Sequence, residues 1–186
     1  MTSQAIIESE MTFGPYPEGH CFYIEKSKCY EEIQEGVQMA EFLLLRKNGK
    51  TASAIWVIEA KSSSPRQSTE ADPKSKFKSA FDEFIEGIRI KLTNAFLLVV
   101  AARLGRQATA KEELPDPFKT IDITNADFKF VLVIRAHKEA WLPPLQDALK
   151  LAFKPVIKTW GLSATSVAVL NDDLAQIHGL ILPQVE

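Results

Sequence analysis

Apolar positions recur along the chain with two different periods, and these divide it into strand-like and helix-like stretches. Residues 4–13 (QAIIESEMTF) carry a short pattern compatible with a strand or a short helix. The cluster GPYPEG over 14–19 marks a turn, Cys21–Glu25 reads as a strand, and residues 28–36 suit one or two helical turns closed by Gly36. Two apolar runs follow, VQMAEFLLLR over 37–46 and TASAIWVIEA over 51–60, with Asn48-Gly49 between them. Asn and Gly tolerate the left-handed backbone that tight hairpin turns require, so the runs are expected to pair antiparallel. Residues 62–75 form a polar loop. From about Lys76 to Leu104 the pattern is helical: Phe77, Phe81, Phe84, Ile85, Ile88 and Leu92 keep a 3.6-residue period, and 95–102 is apolar all round. Residues 105–127, with Pro115 and Pro117, read as a long connection. A strand is expected over 128–136 and a helix over 139–160, with Pro143 and Pro144 near its start and Pro155 as a kink or break. A short strand over 166–170 and a last helix capped by Asp172 or Asp173 complete the chain. The order predicts the α/β class, with a mixed central sheet and helices on both faces.

The run Ile55-Trp56-Val57-Ile58-Glu59-Ala60-Lys61 stands out chemically. With a period of two, Glu59 and Lys61 project from one face, ~6.6 Å apart along the strand, in line with Ile55 and Val57. Charges at the end of an apolar strand are costly unless a partner or metal compensates them. Glu41 lies in the preceding run. A loop over about 48–52 places it opposite Glu59, and a tight two-residue turn places it opposite Trp56. Either register gathers two carboxylates and a lysine at one end of the hairpin. Such a group can hold Mg²⁺ through hard oxygen ligands, lower the pKa of a bound water and stabilise charge on a phosphodiester. The bare acid-x-Lys tripeptide is weak, since chance alone supplies about two in a chain of this composition. Of three occurrences, Asp72-Lys74 sits in the polar loop and Asp127-Lys129 opens a strand. Only Glu59-Lys61 closes one and has an acid in the strand before it.

Glu41, followed eighteen residues later by Glu59-Ala60-Lys61 at a strand end, resembles the active-site signature of the PD-(D/E)xK nuclease superfamily. The resemblance covers roughly residues 20–136, leaves an α/β extension over about 137–186, and implies a restriction-endonuclease-like core within one domain. It departs from the family pattern in having Glu41 for the commoner Asp and Ala40 for the preceding Pro. It implies a Mg²⁺- or Mn²⁺-dependent nuclease that hydrolyses phosphodiester bonds in DNA. Glu41 and Glu59 would hold the metal, and Lys61 would position or activate water. The family often adds an acid from a first helix, for which Glu10, Glu31, Glu32 and Glu35 are the candidates. Restriction, repair and anti-phage systems use such enzymes. Some members have lost catalysis and serve as binding or assembly subunits, which is the alternative expectation.

Charge narrows where a nucleic acid could bind. Among 186 residues, 22 Lys and Arg oppose 24 Asp and Glu, so there is no global basic field and any contact must be local. Residues 61–78 supply such a patch, where Lys61, Arg66, Lys74, Lys76 and Lys78 outnumber two acids. Lys91 lies on the long helix, where the resemblance sometimes implies a polar catalytic helper, and reads as an exposed helix lysine; His20, His137 and His178 read as structural or surface residues, and Trp56, Trp141 and Trp160 as core residues rather than base-stacking platforms. Hydrophobic residues make up 46%, which excludes disorder. Cys21 and Cys29 cannot build a disulfide scaffold and fit a reducing cytoplasm. The start MTSQAIIESE lacks signal-peptide features, and no apolar run reaches the ~18 residues of a membrane span. The apolar positions Leu142, Leu145, Leu149, Phe153, Val156, Ile157 and Trp160 suggest a homodimer or protein partner.

Overall fold

The computed structural model describes residues 1–48, 52–66 and 79–182. Its centre is a five-stranded sheet in the order β3-β4-β5-β6-β7. A separate hairpin of β1 (Ile6–Glu8) and β2 (Met11–Phe13) precedes it. Strand β3 (Cys21–Tyr23) leads through a short 3-10 turn into α1 (Lys28–Ile33). Strands β4 (Phe42–Asn48) and β5 (Ala52–Lys61) pair antiparallel, with Phe42 opposite Ile58 and Leu44 opposite Trp56. The wider-loop register therefore holds, and Glu41 and Glu59 occupy the next pair of positions along the ladder. Helix α2 (Ala80–Arg103) follows, then the short helices α3 (Ala108–Glu113) and α4 (Asp116–Thr120). Strand β6 (Asp127–Ile134) runs parallel to β5, with Glu59 beside Leu132. Helix α5 (Leu142–Trp160), strand β7 (Val167–Leu170), parallel to β6, and helix α6 (Asp172–Ile177) complete the fold.

Strands β5 and β6 alternate between two cores. Ile55, Val57, Phe128, Phe130, Leu132 and Ile134 face the layer built by α2 and α5. Trp56, Ile58, Ala60, Val131 and Val133 face the other side. Both faces are buried, which is why these runs read as continuously apolar. Helices lie on both faces of the sheet, as expected, but unequally. The long helices lie on one face. The other is covered by the β1–β2 hairpin, Tyr16, Leu174 and Ala175 of the short helix α6, and Leu180 with Ile181.

Local chemistry accounts for most boundaries. Helix α2 begins at a capping box in which Ser79 and Asp82 satisfy each other's backbone. Helix α5 ends at Gly161, whose φ of +64° suits a residue without Cβ. It runs through Pro155 without a break. The carbonyl freed by the missing N–H belongs to Leu151, on the exposed side, while buried Phe153 and partly buried Val156 and Ile157 hold the turn against the core. Of the residues expected to meet a partner, Leu142, Leu145, Leu149 and Phe153 are buried within the chain, Val156 and Ile157 are partly buried, and Trp160 is exposed. The last helix is capped by Asn171, one residue before the expected acids. No helix among the described residues is long and apolar enough to cross a membrane.

Candidate functional site

The site forms where the carboxyl end of β5 meets α2. Strand alternation puts Glu59 on the α2 side, where it is completely buried. Two ammonium groups converge on one of its oxygens. Lys61 Nζ lies 2.6 Å and Lys91 Nζ 2.8 Å from Glu59 Oε1. Lys91 Nζ also stands 4.0 Å from Glu41 Oε1 and so links the two acids. Lys91 is thus no free surface lysine. It follows Ile88 by three residues and precedes Ala95 by four, which puts it on the rim of the buried stripe of α2. Its stem can lie along apolar surface while the ammonium reaches the carboxylates.

Glu41 is held from its backbone. Its carbonyl accepts hydrogen bonds from the amides of Ile24 (3.0 Å) and Glu25 (3.4 Å), which fixes the turn after β3 beside it. Asn94 of α2 donates to the carbonyl of Gln38 at 2.9 Å and anchors the approach. This explains why residues 37–41, expected in a strand, are pulled out of the ladder. The side chain of Glu41 is buried and gathers two further acids. One oxygen each of Glu8, Glu25 and Glu41 lies within 4.8 Å of the others. Glu8 ends β1 on the side of buried Ile6 and accepts a hydrogen bond from the Tyr23 hydroxyl.

The electrostatics follow from burial. Desolvation, then the charges of Glu59, Glu25 and Glu8, push the Glu41 carboxyl from its ordinary value near 4.5 up to about 8, against the pull of Lys91. Burial disfavours the charge on Lys91, but Glu59 and Glu41 outweigh it and hold its pKa above the usual lysine value. Burial and neighbouring Glu8 raise the Tyr23 phenol, which stays a donor. Among the described residues, Oε2 of Glu41 and Oε2 of Glu59 are buried without a hydrogen-bond partner. Hard, orphaned carboxylate oxygens beside a three-acid cluster could hold a metal ion. A cation would replace the proton that burial places on Glu41.

The structure brings Glu41, Glu59 and Lys61 together. Arg66 lies elsewhere, its guanidinium carbon 4.1 Å from the centre of the Trp141 ring. Lys74, Lys76 and Lys78 lie outside the described residues. None of the four candidate first-helix acids joins the cluster. Glu10 pairs with Arg135, Glu32 accepts from the Thr109 hydroxyl, and Glu31 and Glu35 are exposed. The acids that do join, Glu8 and Glu25, went unread. For Glu8 the signal was its period-two relation to Ile6. For Glu25 it was the position just past the β3 run. Cys21 and Cys29 are free thiols, and burial pushes Cys21 up to about 12, which leaves it unreactive. No family model, no curated protein and no solved structure matches the chain.

Proposed function

We propose that the chain is a divalent-metal-dependent nuclease of the PD-(D/E)xK type that hydrolyses phosphodiester bonds in DNA. The observation that carries this reading is Glu59: a fully buried carboxylate with one oxygen doubly bonded by ammonium groups and the other orphaned, next to a second orphaned oxygen on Glu41. The sheet order supports it, because an antiparallel β3-β4-β5 meander followed by α2 and a parallel β6 agrees with the core that the resemblance implies. Glu41 and Glu59 would hold Mg²⁺ or Mn²⁺, with Glu8 and Glu25 within reach of Glu41. The bound ion supplies charge stabilisation to the scissile phosphodiester.

The chain's own residues do the rest. Lys91 fixes the Glu59 carboxylate in place through its 2.8 Å contact. Lys61 has the most open side chain of the inner group, 31% exposed. Its ammonium can orient the attacking water or donate to a phosphoryl oxygen as negative charge develops. The test is cleavage of single- and double-stranded DNA with Mg²⁺ or Mn²⁺, by wild type and Glu59→Gln. Metal-dependent cleavage that the substitution abolishes supports the reading. A wild type that binds no divalent ion and cuts neither substrate refutes it.

One observation favours a second reading, a non-catalytic binding subunit on the same fold. Lys61 and Lys91 already neutralise Glu59 without a metal. In that case the cluster is a structural latch between β5 and α2, and added Mn²⁺ leaves stability unchanged.

A further inference from the structure

A second site lies past the end of β5. Residues Pro65 and Arg66, the segment after β6 and the start of α5 enclose a cavity of about 270 Å³. Trp141 forms its aromatic wall. The Arg66 guanidinium stands 4.1 Å and the Lys138 ammonium 5.1 Å from the ring centre. His137 meets the ring edge to face, with centres 5.4 Å apart. Its Nε2 is buried and has no hydrogen-bond partner among the described residues. Burial lowers the His137 pKa, with Arg66 adding to the effect, so the ring is a neutral hydrogen-bonding group.

This corner is built rigidly and sits beside the candidate centre. The Arg135 amide donates to the Lys61 carbonyl at 2.9 Å, which extends the parallel pairing past β5. The Ala136 amide, at a φ of +50°, is held by both oxygens of Asp172. The His137 carbonyl accepts from the Asn171 side chain. Arg66 follows Lys61 by five residues, so the two lie within ~18 Å at full extension. Glu139, Asp172 and Asp173 line the hollow on the far side of His137. Lys138 lines that hollow as well, so, among the described residues, the cation with no acid beside it in its own cavity is Arg66.

We propose that Trp141, flanked by Arg66, Lys138 and His137, is a platform for unpaired nucleotides of a DNA single strand whose backbone runs on to Glu59 and Lys61. A base that stacks on the indole takes the place of the Arg66 guanidinium over the ring, and the displaced cation, with Lys138, is then available to adjacent phosphates. A duplex keeps its bases paired and stacked, so it presents only phosphates to this corner. The platform deepens the nuclease reading by naming an unpaired strand as the substrate class, and it rests on that reading only for the direction of the strand.

The experiment separates the two. Fluorescence anisotropy of a twelve-nucleotide oligo(dT) and of a matching duplex is measured in chelator, where no cleavage occurs. The expected result is tighter binding of the single strand than of the duplex. Trp141→Ala should weaken it about tenfold or more, while Trp141→Phe, which keeps a stacking face, retains most of it. Arg66→Gln and Lys138→Gln should each weaken it and lower the salt slope by about 0.7. Oligo(dT) binding with this mutational pattern in a protein that cuts nothing supports the platform and removes the nuclease reading. Binding by Trp141→Ala, Arg66→Gln and Lys138→Gln equal to wild type overturns the platform, whether or not the protein cuts DNA. A wild type that prefers the duplex, or that binds no single strand, overturns it as well.

Discussion

Helix α2 carries two acid–base contacts of opposite character. On its outer side Glu86 and Arg89 form a two-pronged pair, with Arg89 Nε 2.8 Å and Nη2 2.6 Å from the two Glu86 oxygens. Both oxygens are bonded and both side chains reach solvent. Two residues further on, Lys91 turns inward to Glu59, where one oxygen takes two ammonium groups and the other takes none. The outer pair is what a helix surface adopts for a few tenths of a kcal/mol. The inner cluster costs desolvation of Glu59 and its two lysines beside a protonated Glu41 and still leaves oxygens orphaned, which makes it a poor device for stability. Its geometry is economical only if something else binds there.

The largest expected effect that sharpens this contrast is catalytic. Lys61→Ala should slow cleavage by several powers of ten, because it removes a charge aimed at the transition state. Mn²⁺ binding by calorimetry should persist, since the carboxylates remain. Arg89→Ala should leave the rate unchanged. Equal losses from both substitutions would erase the distinction between the clusters.

Stability comes next. Lys91→Met leaves Glu59 and Glu41 with less compensation in a buried setting and should cost about 2–3 kcal/mol in urea denaturation at neutral pH with chelator present. Arg89→Met should cost less than about 0.5 kcal/mol. If the latch reading is right, Mn²⁺ does nothing for the Lys91 variant. If the metal reading is right, Mn²⁺ recovers part of the loss.

A smaller effect is set by pH. The folded Glu41 carboxyl titrates at about 8, against an ordinary value near 4.5, so the folded state binds the extra proton between these values. Its contribution is fully present below about 4.5 and is lost as pH rises toward 8. Metal-free protein should therefore lose up to a few kcal/mol of stability from this group across that window. Glu41→Gln should flatten the profile, and saturating Mg²⁺ should reverse its slope. The exposed Glu86–Arg89 pair should give no such feature.

Much of the framework could be read from the chain. The hairpin of β4 and β5, the long α2, and the strands β6 and β7 follow from periodicity, and the pairing of Glu41 with Glu59 followed once the loop length was allowed to be wide. What escaped depends on tertiary contacts. The β1–β2 hairpin turns at Ser9 and Glu10, both with positive φ, where no Asn-Gly pair announces it. Helices α3 and α4 have no side-chain cap, and α4 starts at Pro115 and Pro117, residues more often taken as breakers. Glu8 and Glu25 come from outside the β4–β5 hairpin, so no local spacing links them to Glu41. Lys91 was legible only as a lysine on the edge of a buried stripe, and Trp141 only as an aromatic near a helix start. Which cation faces which ring is settled by the loop after β5, and no sequence period reports it.

We propose that the buried cluster holds a metal for phosphodiester hydrolysis. The most direct measurement is Mn²⁺ titration by calorimetry on wild type and Glu59→Gln, with single- and double-stranded DNA cleavage followed in the same buffer. The account predicts that wild type binds Mn²⁺ and cuts, and that Glu59→Gln weakens binding and loses cleavage together. Wild type that takes up no divalent ion and leaves both DNA forms intact would contradict it.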